Sequence, residues 1–437
     1  MAIAELVPLH DVIAKCNRCG FCQAGCPVFR VTGEEHSLSR GRLAIARGLM
    51  LGQLEPTPEV LQALDDCLLC RGCTAHCFPG IRTDEVVTAV RHACLARRGL
   101  PAWQRVLFRS VLANGKRLEW AGRLAVWSRR TGLAGAAERR GLLKLADPRL
   151  GGIEEVLPAA PERIFRRGER PAGADPATAR FRIGYFVSCG LSFQFPEVVE
   201  ATLRVLGRAG CAVTILDNTC CGRPATAYGD LDAGRDIARR NVDRLAPAVD
   251  LDAIVSDCGS CSTHLKEYGQ LLSEDPAYAE RAAALSRKVR SFSEFLAAVG
   301  LPGSLREVEA TVTYHDPCHL SNRFAKITAQ PRALLRAVPG LTYKELPEAD
   351  WCCGAAGSYT FLHRTEATGV LDRKMANVTK TGAAVLATEC PSCMMHLAFG
   401  ARRTGSSVTV QHLSQLLDRA TEERGQSGAT AERPHRP

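Results

Sequence analysis

The sequence has 437 residues, 20 cysteines and a formal net charge of +10, and its length is sufficient for two or three domains with separate cores. No basic segment leads into an apolar run near residue 1, and no stretch approaches ~18 uninterrupted apolar residues, so neither a signal peptide nor a membrane span is predicted. Many cysteines without an export signal indicate metal ligation in a reducing compartment rather than a disulfide framework, and we predict a cytoplasmic protein.

The first feature in chain order is a cysteine run that begins at Cys16 and has the spacing C-x-x-C-x-x-C-x-x-x-C-P, which is typical of loops around a cubane iron–sulfur cluster. A second run, from Cys67 to Cys77, repeats this spacing, although Phe78 separates its last cysteine from the following proline. In two-cluster ferredoxins the fourth cysteine of each run ligates the other cluster. Two [4Fe–4S] clusters are therefore predicted, with the ligand sets Cys16, Cys19, Cys22 and Cys77, and Cys67, Cys70, Cys73 and Cys26.

Both runs belong to a predicted helical ferredoxin domain over residues 1–95. Apolar residues at helical spacing predict one helix within 39–51. Thr57 as a cap, followed by Pro58 in the first turn, predicts a second helix over 58–64. The domain is therefore expected to be a helical ferredoxin rather than the small β-rich kind.

The positive charge is confined to one segment. Residues 97–170 contain 17 Lys and Arg against 7 Asp and Glu, which accounts for the whole net charge. Helices are predicted over 96–157, where tryptophans alternate with arginines, and a linker is predicted over 158–180. The charge is compatible with a solvated face, an acidic partner protein or peripheral contact with the inner face of a membrane. No recognised binding motif accompanies it, so nucleic acid is not predicted as a partner.

From residue 181 onward, predicted strands and helices alternate, and the same order occurs twice. We predict a first CCG repeat over 181–300, a second over 301–419 and a disordered tail over 420–437. Each copy carries a single cysteine, a Cys-Cys-Gly sequence and a C-x-x-C motif, each directly after a predicted strand, where open α/β sheets form their sites. The predicted metal-binding cysteines are Cys189, Cys220, Cys221, Cys258 and Cys261 in the first repeat, and Cys318, Cys352, Cys353, Cys390 and Cys393 in the second.

Five soft thiolates at one sheet edge suit either zinc or an iron–sulfur centre. Zinc is saturated by four thiolates, so five per repeat beside two ferredoxin runs favours iron, with zinc as the open alternative. The two remaining cysteines, Cys94 and Cys211, are predicted to be buried structural thiols. Three polar residues near the first cysteine of the second repeat, His315, Asp316 and His319, are predicted to form hydrogen bonds around the site rather than to transfer protons.

Taken together, two C-x-x-C-x-x-C-x-x-x-C runs followed by two C…CCG…C-x-x-C copies resemble the glycolate oxidase iron–sulfur subunit family from Cys16 to about Leu417. The layout is also similar to subunits of anaerobic glycerol-3-phosphate dehydrogenase and lactate-utilisation systems, and to the catalytic subunit of heterodisulfide reductase. The resemblance implies an electron-transfer component of an oxidoreductase. It would take electrons from an FAD-binding partner subunit that oxidises a 2-hydroxy acid, glycolate or lactate, and pass them to a quinone or similar acceptor.

The resemblance also implies a fold, an α+β multidomain chain with an all-helical ferredoxin-like domain followed by a duplicated α/β CCG domain. The heterodisulfide reductase relationship implies that a repeat with all five cysteines can hold a noncubane [4Fe–4S] cluster, which would add one or two clusters here. Both repeats are complete, so thiol–disulfide chemistry at paired CCG clusters is the alternative function. No dinucleotide-binding motif is found, so a partner is expected to carry the flavin, and no catalytic residue is predicted in this chain.

Overall fold

A computed structural model of the protein describes residues 2–165, 177–322 and 324–422. Within the predicted linker, residues 166–176 lie outside this part of the chain, as do residues 423–437 of the predicted tail. The N-terminal module is helical, as predicted, with helices α1 (His10–Ala14), α2 (Cys22–Gly25), α3 (Pro27–Thr32), α4 (Ser39–Met50), α5 (Pro58–Asp65), α6 (Gly72–Ala75) and α7 (Thr83–Arg98).

Helix α5 shows why the local sequence folds as it does. The Thr57 side chain accepts a hydrogen bond from the Val60 backbone N–H, and Pro58 occupies the first turn, where its missing N–H has no cost. The predicted cap and start are therefore confirmed. The following segment contains helices α8 (Ala102–Val106), α9 (Gly115–Arg130), α10 (Leu133–Arg139) and α11 (Ile153–Val156).

The two CCG repeats form two four-stranded, fully parallel sheets with equivalent strand orders, β2-β1-β3-β4 and β6-β5-β7-β8. The central strands β3 and β7 are buried along their whole length, as short apolar runs predict. This equivalence confirms the predicted duplication. The strands are β1 (Phe181–Tyr185), β2 (Cys211–Ile215), β3 (Ala253–Ser256), β4 (Val289–Ser291), β5 (Ala310–Tyr314), β6 (Leu341–Tyr343), β7 (Val385–Thr388) and β8 (Thr409–His412).

Helices cover both sheets. In the first repeat they are α12 (Cys189–Gln194), α13 (Pro196–Arg208), α14 (Arg223–Ala227), α15 (Leu231–Arg244), α16 (Gly259–Lys266), α17 (Tyr268–Leu271), α18 (Ala279–Lys288) and α19 (Phe292–Val299). In the second repeat they are α20 (Cys318–Ser321), α21 (Ala329–Arg336), α22 (Tyr359–Leu362), α23 (Arg364–Thr381), α24 (Pro391–Thr404) and α25 (Leu413–Thr421).

The sheets share one continuous hydrophobic core, whereas the ferredoxin module has its own. A third apolar cluster, which includes Leu38, Trp351 and Tyr359, joins the ferredoxin module to the second repeat. Close packing reinforces this contact, because a Cβ atom at Gly369 of α23 would lie 2.7 Å from the Val31 side chain of α3. Among the described residues, no helix combines the length and apolar character needed to cross a lipid bilayer.

Candidate iron–sulfur sites

The outer ferredoxin site consists of four cysteines that line one cavity between the two cysteine runs. Backbone turns direct these thiols inward: Arg18 has φ +53° and Gly20 has φ +87°, both in the left-handed region. The site reaches the surface, because Cys19 is exposed. Phe21 and Phe78 are 64% and 86% exposed. The cysteines are Cys16, Cys19, Cys22 and Cys77, the grouping that the crossed rule predicts.

The inner ferredoxin site is more deeply buried. Burial, and then the neighbouring Cys70 and Cys67 sulfurs, raise the pKa of the Cys73 thiol. Burial also raises the pKa of Cys26 to about 11. The sulfurs of the second predicted set therefore lie close to one another: Cys67, Cys70, Cys73 and Cys26. That the eight thiols of the two ferredoxin sites ligate iron stays a prediction.

Arg42 is a buried cation beside the inner ferredoxin site that the sequence did not single out. Its Nε donates to the Ala63 carbonyl at 3.1 Å, and the neighbouring Cys67 and Cys26 sulfurs raise its pKa against the opposing effect of burial. A permanent positive charge at this position would offset the negative charge of a thiolate-ligated cluster. In the sequence, Arg42 lies at helical spacing from Leu38 and Leu49, which indicates only that it is on the buried face of helix α4.

The ten CCG cysteines line one cavity of about 190 Å³ at the carboxyl ends of both sheets. In each repeat the glycine after the cysteine pair has φ near +87° to +88°, and its N–H donates to the first sulfur of the pair at 3.4 Å. These glycines are Gly222 and Gly354. A Cβ atom at Gly354 would lie 2.5 Å from the Ala367 carbonyl oxygen, so this turn requires glycine.

The two CCG sites adjoin each other. The Cys258 and Cys390 thiols interact across the repeats, and the Gly259 N–H donates to the Glu389 carbonyl at 2.8 Å. On the other side, the Cys70 thiol of the inner ferredoxin site contacts Cys352. Neighbouring thiols that act on one another's pKa therefore extend from the ferredoxin module through both repeats, in the order Cys70, Cys352, Cys353, Cys393, Cys390, Cys258, Cys261, Cys221, Cys220 and Cys189.

The three polar residues near Cys318 differ in their hydrogen bonds. His319 forms the predicted hydrogen bonds, with Nδ1 3.1 Å from Ser260 Oγ and Nε2 3.3 Å from the Leu69 carbonyl oxygen. Asp316 accepts from Arg332 at 2.8 Å. His315 is fully buried, and although the Ala349 backbone interacts with its ring, neither ring nitrogen forms a hydrogen bond of good geometry with the described residues, so the predicted hydrogen bonds of this residue are not confirmed.

The donor set fits iron–sulfur clusters. None of the 20 cysteines, all of which are described, is in a disulfide, and 18 of them fall into the predicted groups. Thiol–thiol contact and burial raise the pKa of Cys261 and Cys393, so these groups are protonated without metal, and metal loading releases protons. Cys94 and Cys211 lie apart from the sites and are buried, as predicted.

A ferredoxin module whose thiols continue into a paired parallel α/β cysteine-rich domain defines an iron–sulfur electron-transfer protein. Family models match the three parts of the chain: a 4Fe-4S dicluster domain over 12–81, the linker region of the glycolate oxidase iron–sulfur subunit over 99–157, and a cysteine-rich domain over 183–266 and 312–398.

Similar proteins agree with this class. The chain is 32% identical to a probable glycolate oxidase iron–sulfur subunit of Bacillus subtilis, with 93% of each chain covered, and 26% identical to the glycolate oxidase iron–sulfur subunit of Escherichia coli, covering 96% of this chain and 97% of the relative. Lactate utilization protein A of Halalkalibacterium halodurans is 30% identical over 54% of this chain and 96% of its own length. The chain belongs to the glycolate oxidase iron–sulfur subunit family.

The fold also occurs in a hypothetical protein from Helicobacter pylori. Its crystal structure aligns with a TM-score of 0.55 and 8% sequence identity, covering 96% of this chain and 76% of the other. Family membership makes this protein an oxidoreductase component that carries iron–sulfur clusters and transfers electrons. It favours this function over the heterodisulfide-reductase-type alternative.

Proposed function

We propose that this protein receives electrons from an FAD-binding partner subunit that oxidises glycolate or lactate, and passes them to a quinone or similar acceptor. The observation that carries the proposal is the series of neighbouring thiols from Cys70 to Cys189, which links the ferredoxin module to both CCG sites without interruption. Clusters bound at these thiols supply one-electron chemistry. We propose four [4Fe–4S] clusters, two cubane clusters in the ferredoxin module and one noncubane cluster in each repeat.

The outer ferredoxin site is the proposed point of electron entry. It is the site with an exposed cysteine, Cys19, and two large exposed aromatic side chains, Phe21 and Phe78, flank it. Exposed aromatic groups of this size are typical of the central contacts in protein interfaces. The CCG cysteines are buried or half-buried, so a large flavoprotein would reach them less easily than the exposed Cys19 of the outer site.

Phe21→Ser combined with Phe78→Ser is expected to slow reduction of the clusters by the reduced flavoprotein about tenfold or more, because two interface anchors are lost. Bleaching of the cluster absorbance is followed anaerobically after mixing the chain with the flavoprotein and a 2-hydroxy acid. Reduction by dithionite, which needs no docking, should be unchanged.

Leu145→Ser provides the matched control, because it removes another exposed apolar side chain far from Cys19 in the sequence. Unchanged bleaching in the double phenylalanine variant contradicts the docking site. Oxidation of the hydroxy acid by this chain without any flavoprotein contradicts the proposed function itself.

Helix α9 is the proposed contact with the membrane that supplies the acceptor. Trp120, Leu124 and Trp127 are 69%, 62% and 54% exposed and follow one another at helical spacing; we call this stripe the α9 face. Exposed lysine and arginine residues, including Lys116 and Arg130, accompany it. Tryptophan and leucine with surrounding basic groups are typical of helices that lie in a lipid interface.

The α9 face is also close to the end of the thiol series. On the opposite side of the helix, Gly122 contacts Phe193, since a Cβ atom at this glycine would lie 2.5 Å from the phenyl ring. Phe193 belongs to α12, which begins at Cys189. A quinone delivered at the α9 face would therefore be next to the repeat that holds the last thiol.

Trp120→Gln combined with Trp127→Gln is expected to weaken binding to phosphatidylglycerol vesicles about tenfold or more, because two large apolar side chains no longer enter the interface. Binding is measured by vesicle flotation, and added salt should weaken it in the wild type. Phe324→Gln, a half-exposed aromatic of the second repeat, is the control. Vesicle binding that survives in the double variant excludes this contact, whereas lost flavoprotein binding would identify an acidic protein partner instead.

A further inference from the structure

The two CCG sites differ in the side chains behind their thiols. When the repeats are superposed in sequence on their cysteines, His315 corresponds to Phe186, and Lys374 corresponds to Val242. His315 directly follows β5, as Phe186 directly follows β1, and both side chains are fully buried. The second site therefore faces two nitrogen-containing side chains where the first faces hydrocarbon.

His315 lies among the thiols of its site. One ring nitrogen and the sulfurs of Cys353 and Cys393 are all within 4.8 Å of one another. The described residues offer neither ring nitrogen a hydrogen bond of acceptable geometry, although the side chain is inaccessible to solvent. A buried polar group without a well-formed hydrogen bond requires an explanation, and imidazole takes the place of thiolate as an iron ligand in some iron–sulfur centres.

The neighbouring histidine of the same site is different. His396 Nδ1 lies 2.9 Å from the Cys353 carbonyl oxygen, so this ring has a structural contact that fixes its orientation. Its counterpart in the first repeat, His264, is also buried and lies three residues after Cys261, as His396 lies three residues after Cys393. A histidine at that position is common to both repeats, whereas His315 occurs in the second alone.

We propose that His315 is an additional metal ligand of the second CCG site, with its imidazole nitrogen bound to an iron held by Cys353 and Cys393. The inference rests on the proposed cluster in the second repeat. Phe186 cannot donate, so the first site has no nitrogen ligand at the equivalent position. The ring nitrogens of the buried His264 also lack a hydrogen bond, but among the described residues only His315 forms a group of ligand geometry with its cysteines. Because a neutral imidazole adds no negative charge, its replacement by a thiolate would make the cluster of the second repeat harder to reduce.

Lys374 contributes a second difference without being a ligand. Its Nζ donates to the Ala349 carbonyl at 3.2 Å and to the Glu348 carbonyl. It is fully buried on α23, and the sulfurs of Cys353 and Cys352 interact with its charge. Lys374→Met therefore removes a charge near the site but leaves the proposed nitrogen ligand in position.

The test is electron spin echo spectroscopy of the reduced, iron-loaded full chain grown with ¹⁵N-labelled histidine. The wild type should show the strong ¹⁵N coupling of a directly bound nitrogen. His315→Phe, which copies the first repeat, should lose it, and Lys374→Met should keep it. His315→Cys should retain the iron, lose the coupling and give the second cluster a lower reduction potential.

The possible results are distinguishable. If Cys353→Ala lowers the iron content but the wild type shows no strong histidine coupling, the cluster is present and His315 is not its ligand. Persistence of the coupling in His315→Phe also overturns the inference. If Cys353→Ala changes no iron content, the proposed cluster itself fails. The ferredoxin signals in the same spectra show whether each variant is folded. If both His315 variants lose these signals, the presence or absence of strong histidine coupling in the wild type alone supports or overturns the proposed ligand.

Discussion

Replacing Cys221 and Cys353 together by alanine is expected to lower the iron content of anaerobically purified protein from about sixteen atoms per chain to about eight, at four irons per cluster. Each of these cysteines is central to its set. Cys221 contacts the thiols of Cys220 and Cys261, and Cys353 contacts those of Cys352 and Cys393. Alanine therefore opens both sets at their midpoints, while the ferredoxin sites keep all eight thiols.

Iron and sulfide analysis with electron paramagnetic resonance spectra measures this effect. The ferredoxin signals should survive in the double variant. Cys211→Ala is the matched control, because Cys211 is also fully buried but lies in β2, outside the cavity, and its loss should leave the iron content unchanged. About eight irons in the wild type, with zinc making up the remainder, would show that the CCG repeats are zinc sites.

Arg71→Met is expected to reduce the free energy of unfolding by up to about 3–5 kcal/mol, because it removes the nearest cation from the buried Asp84 and the half-buried Glu267, although Arg82 remains within 4 Å of both. The Arg71 side chain is 3% exposed and donates to Asp84 at 2.7 Å. Its other end pairs with Glu267 of the first repeat at 2.6 Å. The residue lies between Cys70 and Cys73, so the same ion pairs fix the inner ferredoxin loop against the CCG domain.

The stability lost in Arg71→Met should depend on pH. Although burial raises the pKa of Glu267, Arg71 and Arg223 outweigh it and lower this pKa to about 2. The stabilisation is therefore present above the ordinary glutamate pKa of about 4.3 and is lost as the pH falls through about 2. Arg71→Met should therefore lower the free energy of unfolding more at pH 7 than at pH 3, as measured by urea unfolding.

Arg281→Met is the control for this effect. Arg281 pairs with Asp243 at 2.8 Å, but both side chains are about half exposed. Exposed pairs contribute about 0–1 kcal/mol, so this variant should unfold almost as the wild type does. Equal losses in the two variants would mean that the buried pairs of Arg71 add nothing beyond surface electrostatics.

The sequence was sufficient for the features that depend on spacing. Cysteine intervals predicted which thiols meet, including the crossing of Cys26 and Cys77, and short apolar runs predicted the central strands β3 and β7. Strands β4 and β8 were missed because Val289–Ser291 and Thr409–His412 are mostly polar, unlike the short apolar runs of β3 and β7. Strand β1 ends at Tyr185, because the chain leaves the sheet to begin α12 at Cys189.

Features that depend on three-dimensional contact could not be predicted from one segment at a time. Nothing local indicates that Arg42 faces sulfurs rather than solvent, or that Cys70 meets Cys352 from a distant module. His315 was visible in the sequence only as one residue of a polar group. A position-by-position comparison of the two repeats, which sets it against Phe186, would have been the signal.

The contact between Cys258 and Cys390 joins equivalent positions of the two repeats, so a local two-fold axis passes between them. Two identical half-length chains related by such an axis would form the same cavity as a homodimer. In a homodimer every substitution occurs in both halves at once. Fusion into one chain removes that constraint. Gly259 donates its N–H across the axis, but Pro391, its counterpart, has no N–H to return the hydrogen bond. The ancestral symmetry is already broken at the backbone.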